Sequence, residues 1–254
     1  MSININTGSI NLPKVSVIIV TFNAAATLQK CLDSIYRQTY PFLEIIIMDG
    51  ASTDGTVSIL EANSGKIAFW KSEPDEGIYY AMNHALEYFT GDWVYFLGAD
   101  DVLYDDFSAL ALQLKDHACI YYANVMFGGE KYRGEVTEYK HAKDTVCHQA
   151  IIYPKQVFVE RKMRFNTKYK ISADHELNMR CWRKFRFRYI DLTIAFFNDM
   201  GVSSTKTDHA FKGDKLKLIF KYHGLATALR YAVRLFKKKL NPGAYKPAPP
   251  ANNL

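Results

Sequence analysis

A chain of 254 residues that is 48% hydrophobic and 14% aromatic can build a sizeable core, which excludes a disordered protein and suits one large domain with or without an appendage. Cys31, Cys119, Cys147 and Cys181 are scattered without a Cys-x-x-Cys pair, which argues against a structural zinc or a disulfide framework and for a reducing compartment. The formal net charge of +6 is unevenly spread: from Lys212 onward ten basic residues face the single acid Asp214, a local +9 that leaves residues 1–211 at −3. No basic-then-apolar leader opens the chain, and no apolar run approaches the roughly 18–20 residues of a membrane span. The expectation is a soluble or peripheral protein of the cytoplasm.

Residues 1–13 read as a flexible arm ending at Pro13. Val15 to Val20 is β-branched apart from Ser16, the pattern of a central parallel strand buried on both faces. A helix follows Asn23 as far as about Gln38, with Leu28, Cys31, Leu32 and Ile35 on its inner face. Leu43 to Met48 is a second buried strand. The turn Asp49 to Thr56 leads into a short helix, Ile67 to Trp70 is a third strand, and residues 77–89 form a helix. Val94 to Leu97 is a bulky buried strand. This alternation predicts an α/β fold with a mainly parallel sheet and right-handed crossovers. The second half is less regular. Cys119 to Phe127 reads as a strand, Lys131 to Tyr139 as extended, Ala173 to Lys184 as a helix, and Phe185 to Phe197 as one or two strands.

Chemistry concentrates just past the strands. In open parallel sheets ligands bind beyond the carboxyl ends of the strands, where Leu97 is followed by Gly98, Ala99, Asp100 and Asp101. Adjacent carboxylates form either a hard-cation site or a costly like-charge pair, and a Mg²⁺ or Mn²⁺ sharing the oxygens of a bound diphosphate would relieve the repulsion. Capping of a helix starting near Asp105 is the other reading. In the Asp49 turn, the carboxylate can accept from a base N–H or ribose hydroxyls, while Gly50 and Gly55 permit tight backbone geometry. An ordinary strand-to-helix turn has similar composition.

Four segments occur in one order at one spacing: Val15 to Asn23, Asp49 to Thr56, Glu73 to Asn83, and Leu97 to Asp101. Together they resemble the inverting family 2 glycosyltransferases of the GT-A fold, in particular those building bacterial exopolysaccharide and lipopolysaccharide. The resemblance spans about residues 14–199. It implies a GT-A domain over 14–205, with a nucleotide-binding half (about 14–101) and an acceptor-binding half (about 102–205). It further implies that Thr21, Asn23 and Asp49 line the nucleoside pocket and that Asp75, Gly77 and Asn83 edge the donor site. Asp101 would be the main ligand of Mn²⁺ or Mg²⁺, with Asp100 contacting the metal or the hydroxyls of ribose or sugar. Gly98 departs from the Asn or Asp that relatives often carry, which puts one contact in doubt. Met48 replaces an acid common in the wider family.

Inversion at an anomeric carbon needs a general base on the acceptor hydroxyl, opposite a diphosphate leaving group. Asp174 is the candidate by resemblance, and the first turn of a helix is its structural alternative. Glu176 is the fallback, but about 200° of helix separates the two, so only one can face the site. His148 and Gln149 match a His-Gln pair of relatives and are candidate diphosphate or acceptor contacts. Arg161, Lys162, Arg164, Lys168 and Lys170 form either an anionic-acceptor surface or a solvated basic face.

Residues 206–240 read as a basic amphipathic helical extension, suited equally to an anionic membrane surface and to packing on the domain. Gly224 weakens it as one unbroken helix, Pro242 ends it, and residues 241–254 read as disordered. No nucleic-acid module accompanies the basic patch. The resemblance implies transfer of one sugar from a nucleotide-diphosphate donor, with UDP preferred and GDP or dTDP possible. The acceptor would be lipid-linked or a glycan, at the inner face of the cell membrane. No Gln-x-x-Arg-Trp motif follows Asp174, which by resemblance speaks against a processive synthase. Two other classes are a nucleotidyltransferase making nucleotide sugars and an inactive membrane-associated binding protein. The first generally needs a Gly-rich basic loop that Val20 to Ala24 lacks, and the retained acids speak against the second.

Overall fold

The protein is described by a computed structural model over residues 12–132, 134–198 and 207–241. The expected flexible arm (residues 1–11 of it), residues 199–206 and the expected disordered tail beyond Asn241 lie outside the described residues. The first half alternates β1 (Val15–Thr21), α1 (Leu28–Tyr36), β2 (Leu43–Asp49), α2 (Thr56–Asn63), β3 (Phe69–Ser72), α3 (Ile78–Ala85) and β4 (Trp93–Gly98). The second half runs β5 (Val102–Leu103), α4 (Asp106–Ala111), β6 (Cys119–Phe127), β7 (Glu130–Tyr132) and α5 (Glu138–Lys143). It continues with β8 (Ile151–Pro154), α6 (Ala173–Trp182), β9 (Arg186–Phe197) and α7 (His209–Leu240).

The described strands form one sheet in the order β3-β2-β1-β4-β8-β6-β9-β5, with β7 paired to β6. β3, β2, β1 and β4 are parallel, as their continuous apolar runs require: Trp93 to Leu97 are completely buried. β8 is antiparallel to both β4 and β6, so it stitches the regular half to the rest without a second core. The chain lays β2 and β3 on one side of β1 and β4 on the other. The carboxyl ends of β1 and β4 are therefore a topological switch point, the place where ligands bind in open α/β sheets.

Several boundaries differ from the sequence reading for identifiable reasons. α1 begins at Leu28 because the chain before it is tied to the next loop: Ala24 N–H donates to Thr56 Oγ1 (2.9 Å) and Ala25 N–H to Asp54 Oδ2 (3.0 Å). Tyr139, expected in an extended stretch, is helical because Thr137 caps α5 by accepting from Lys140 N–H at 3.3 Å. β5 and β8 were not foreseen.

α7 is two helical arms joined at Gly224, whose φ of +80° is the left-handed region that glycine reaches without strain. One face packs on α5 and α6 through Phe211, Leu218, Ile219, His223 and Tyr231. Arg230 lies over the Tyr139 ring (3.9 Å), and Lys215 Nζ donates to Lys143 O (2.6 Å). Packing on the domain is therefore realised. The opposite face leaves Leu216, Phe220, Leu225, Leu229, Val233 and Phe236 exposed.

Candidate active site

Three groups of side chains carry the candidate chemistry. At the ends of β1 and β2, Asp49 is 2% exposed and accepts from Ser52 N–H (2.9 Å), Ser52 Oγ–H and Ser72 Oγ–H (2.6 Å). A carboxylate has about four lone-pair sites, so room for one more donor remains. Asp49 and Met48 share a cleft of about 240 Å³ with Asp75, Glu76, Tyr80 and His84. Thr21, paired in register with Asp49, has a buried Oγ1 with no hydrogen-bond partner. Asn23 sits at φ +50°, which Asn tolerates, and ties two loops together: its Oδ1 accepts from Thr53 N–H at 2.9 Å. Phe22, not singled out in the sequence, presents an aromatic ring that is 65% exposed.

Asp75 Oδ1 accepts from Gly77 N–H (2.7 Å), and Gly77 holds φ +126° at the start of α3. A side chain at Gly50 would meet Asp75 Oδ2 at 2.9 Å, so glycine admits that carboxylate to the rim. Asn83 is turned elsewhere. Its amide exchanges two hydrogen bonds with the backbone of Phe165 (2.9 and 2.8 Å), clamping α3 to the loop before α6.

At the end of β4, Asp101 is 1% exposed and surrounded by donors: Gly98 N–H (2.9 Å) and Gln149 Nε2–H (2.8 Å) on Oδ2, and Asn198 N–H (2.9 Å) on Oδ1. Burial pushes its carboxyl above the ordinary carboxylate range, and the charge of Asp100 adds to the effect. Asp100 is less buried, and its Oδ2 accepts from Asn198 Nδ2–H at 3.0 Å. Asp101 is thus engaged inward, and Asp100 is the more open of the two. Gly98 is tightly surrounded. A Cβ there would lie 2.5 Å from Asp101 Oδ2 and 2.9 Å from Asp100 Oδ1, so a side chain would push the carboxylates from their present positions. Among the described residues no cluster of three or more His, Cys, Asp or Glu side chains could hold a metal ion alone. The donor set suits a hard cation that takes its remaining ligands from water and a bound diphosphate.

The third group lies at the start of α6. Asp174, in the first turn of α6, accepts on Oδ1 from His175 N–H (2.7 Å) and Tyr79 O–H (3.2 Å). Its Oδ2 faces His148 Nδ1 at 3.9 Å. Glu176 turns away, as its helix position requires: it pairs with Arg180 at 2.9 Å, and burial raises its carboxyl above the ordinary range despite that partner. His148 and Gln149 are consecutive in a single helical turn, and one approaches Asp174 while the other binds Asp101. Of the basic residues before α6, Lys168 pairs with Asp214 (2.5 Å), Lys170 lies over the Tyr80 ring (4.9 Å), and Arg164 donates to the carbonyls of Phe158 and Met163.

Sequence reasoning missed Asn198 and Tyr79. Asn198 had a usable signal, since it follows the buried Ile194–Ala195 stretch at the carboxyl end of β9, the same place that made Asp100 conspicuous. Tyr79 had none; its hydroxyl finds Asp174 ninety-five residues away.

A Gly98→Ala substitution forces a methyl against both carboxylates. It is expected to lower stability by about 1–3 kcal/mol in urea unfolding, and an unchanged midpoint would contradict this packing.

Residues 16–193 match the family description "Glycosyl transferase family 2". A "PGL/p-HBAD biosynthesis glycosyltransferase" of Mycobacterium bovis is 35% identical over 212 residues, covering 78% of this chain and 82% of that protein. An uncharacterized glycosyltransferase of Mycobacterium tuberculosis is 29% identical over 214 residues, covering 80% of this chain and 81% of that protein. Staphylococcus aureus TarS 1–349 in complex with UDP-GlcNAc superposes with a TM-score of 0.74 at 18% identity, over 90% of this chain and 74% of that one. The mannosyltransferase PcManGT from Pyrobaculum calidifontis, in complex with GDP-Man and Mn²⁺, gives a TM-score of 0.63 at 21% identity, over 92% and 81%. These likenesses fix the fold as GT-A, and the chain belongs to glycosyl transferase family 2, a family of glycosyltransferases.

Proposed function

We propose that the enzyme transfers a single sugar, with inversion, from a nucleotide-diphosphate donor to a hydroxyl of a lipid-linked or polysaccharide acceptor. The observation that carries this reading is the His148–Gln149 pair, in which Gln149 binds Asp101 while the adjacent His148 approaches Asp174, so the two acidic groups lie close together. The solved relatives with UDP-GlcNAc and with GDP-Man and Mn²⁺ support a nucleotide-sugar donor. The mycobacterial relative is named for PGL/p-HBAD biosynthesis, which supports a role in a biosynthetic glycosyl transfer.

In this reading the donor base enters the cleft beside Asp49, whose one open lone pair accepts a base N–H, while Thr21 Oγ1 finds the partner it lacks. The exposed ring of Phe22 offers a face for stacking. Asp101 and Asp100 would hold Mn²⁺ or Mg²⁺, with Asp100 the more exposed of the two carboxylates. When bound there, such an ion would supply charge neutralisation to the departing diphosphate. Asp174 Oδ2 takes the proton of the acceptor hydroxyl as its oxygen bonds the anomeric carbon and the bond to the diphosphate breaks on the opposite face. Tyr79 and His175 N–H occupy Oδ1 and so leave Oδ2 to face His148. Burial and the charge of Asp174 raise the Tyr79 hydroxyl well above its ordinary range, so it remains a donor across the working pH. His148 Nδ1, 3.9 Å from Oδ2, is too far for a hydrogen bond, yet both groups can touch one hydroxyl.

The enzyme would work as a peripheral protein on the cytoplasmic face of a membrane. No helix among the described residues is long and apolar enough to cross one. The exposed face of α7 is instead suited to lying on it. Phe220, Leu225, Leu229 and Phe236 are 56–63% exposed, the two arms enclose an apolar groove, and lysines and arginines flank both. Inserting each large side chain contributes about 1.5–3 kcal/mol, and each nearby cation about 1 kcal/mol against an anionic surface.

Asp174→Asn should lower turnover by about 10²–10⁴-fold, read as nucleoside diphosphate release, while donor affinity stays within about twofold. Turnover near wild type would remove Asp174 from the role of base. For α7, a Phe220→Glu/Leu229→Glu/Phe236→Glu variant leaves the packed face intact. The wild-type chain should sediment with phosphatidylglycerol-containing vesicles in low salt, and the triple variant about tenfold less. Equal sedimentation of the two proteins would sink the membrane reading.

A further inference from the structure

The loop that delivers Asp174 is held by the C-terminal helix. Asp208, the N-cap of α7, accepts from Phe211 N–H through Oδ1 at 2.9 Å, which is the ordinary work of a cap. Its second oxygen does something a cap does not need. Oδ2 accepts from Ile171 N–H (2.9 Å) and Ser172 N–H (3.1 Å), the last residues before α6. From the other side, Tyr79 O–H donates to Ile171 O at 2.7 Å as it reaches Asp174. The short segment two residues ahead of Asp174 is thus gripped between α3 and α7.

The grip extends in both directions along the chain. Asp214, a turn and a half further along α7, pairs with Lys168 and accepts from Tyr169 O–H (2.9 Å). Phe211 is buried between the rings of Tyr169 (5.4 Å) and His175 (5.0 Å), which bracket Asp174 in sequence. A serine would cap α7 equally well but could not supply the second acceptor.

We infer that Asp208 is a positioning residue for the reaction. Its two oxygens join the docked α7 to the backbone that sets the direction of Asp174, so the extension is part of the active-site frame. The inference rests on Asp174 as the base. It also gives a physical route by which whatever binds the exposed face of α7 reaches the reacting centre.

The decisive pair is Asp208→Ser, which keeps a capping oxygen, and Asp208→Ala, which removes both. Three quantities are read on the full chain: the thermal midpoint, deuterium uptake by residues 168–176, and nucleoside diphosphate release from a UDP-sugar with water as acceptor. Asp208→Ser should keep a midpoint close to wild type while the amides of Ile171 and Ser172 exchange about tenfold faster. Its kcat should fall about 10- to 100-fold with the donor KM within about twofold, the signature of a misaimed group rather than a lost binding site. Asp208→Ala should add a loss of midpoint. Wild-type kcat and wild-type exchange in Asp208→Ser would overturn the inference and leave Asp208 as a cap. Asp174→Asn in the same assay separates the two claims. An inactive Asp174→Asn beside an unimpaired Asp208→Ser overturns this inference alone, whereas an active Asp174→Asn overturns the base assignment and the inference with it.

Discussion

The buried carboxylate of Asp101 is the constraint around which the site is arranged. An acid with 1% exposure at the end of a fully apolar strand is tolerable only if its oxygens are met by donors. Gly98, Gln149 and Asn198 supply them, from β4, from the turn before β8 and from the end of β9. Each donor carries a further consequence. A side chain at Gly98 would push the carboxylates away, Asn198 also holds Asp100, and Gln149 brings His148 near Asp174. One costly burial therefore draws three separate parts of the sheet to one point. A cation beside Asp100 would lower that cost further, because it reverses the like-charge repulsion that helps raise the Asp101 carboxyl.

The same economy explains the C-terminal extension. Its packed face covers α5 and α6, its capping residue reaches the loop before Asp174, and its outer face remains apolar and basic. A helix that served only to cover the core would have no reason to keep Phe220, Leu225 and Phe236 in water. The kink at Gly224 lets the two arms follow the curvature of the domain while sharing one exposed apolar groove.

Most of the regular half could be read from sequence, because buried parallel strands leave uninterrupted apolar runs. β1, β2 and β4 lie where the runs lie, and β6 has the bounds of its run, Cys119–Phe127. The inner face of α1 holds the four residues its periodicity named. β8 escaped because four residues ending in proline carry little pattern, and β5 because two residues carry none. Within the site, Asp49, Asp100, Asp101 and Asp174 were conspicuous as acids at element ends. What one side chain does to another was not. That Asp101 faces inward, that Asn83 clamps a loop, and that Asn198 spans nearly a hundred residues to Asp100 follow from pairings that no local pattern encodes.

The most direct test of the account is thermal unfolding with UDP-, GDP- and dTDP-sugars, each with Mn²⁺ and with EDTA, for the wild-type chain and for Asp100→Asn. The account predicts that one nucleotide class raises the midpoint, that EDTA removes most of the rise, and that Asp100→Asn abolishes its metal-dependent part. A rise that is equal in EDTA and intact in Asp100→Asn, or no rise with any donor, would contradict a metal-assisted nucleotide-sugar site at the end of β4.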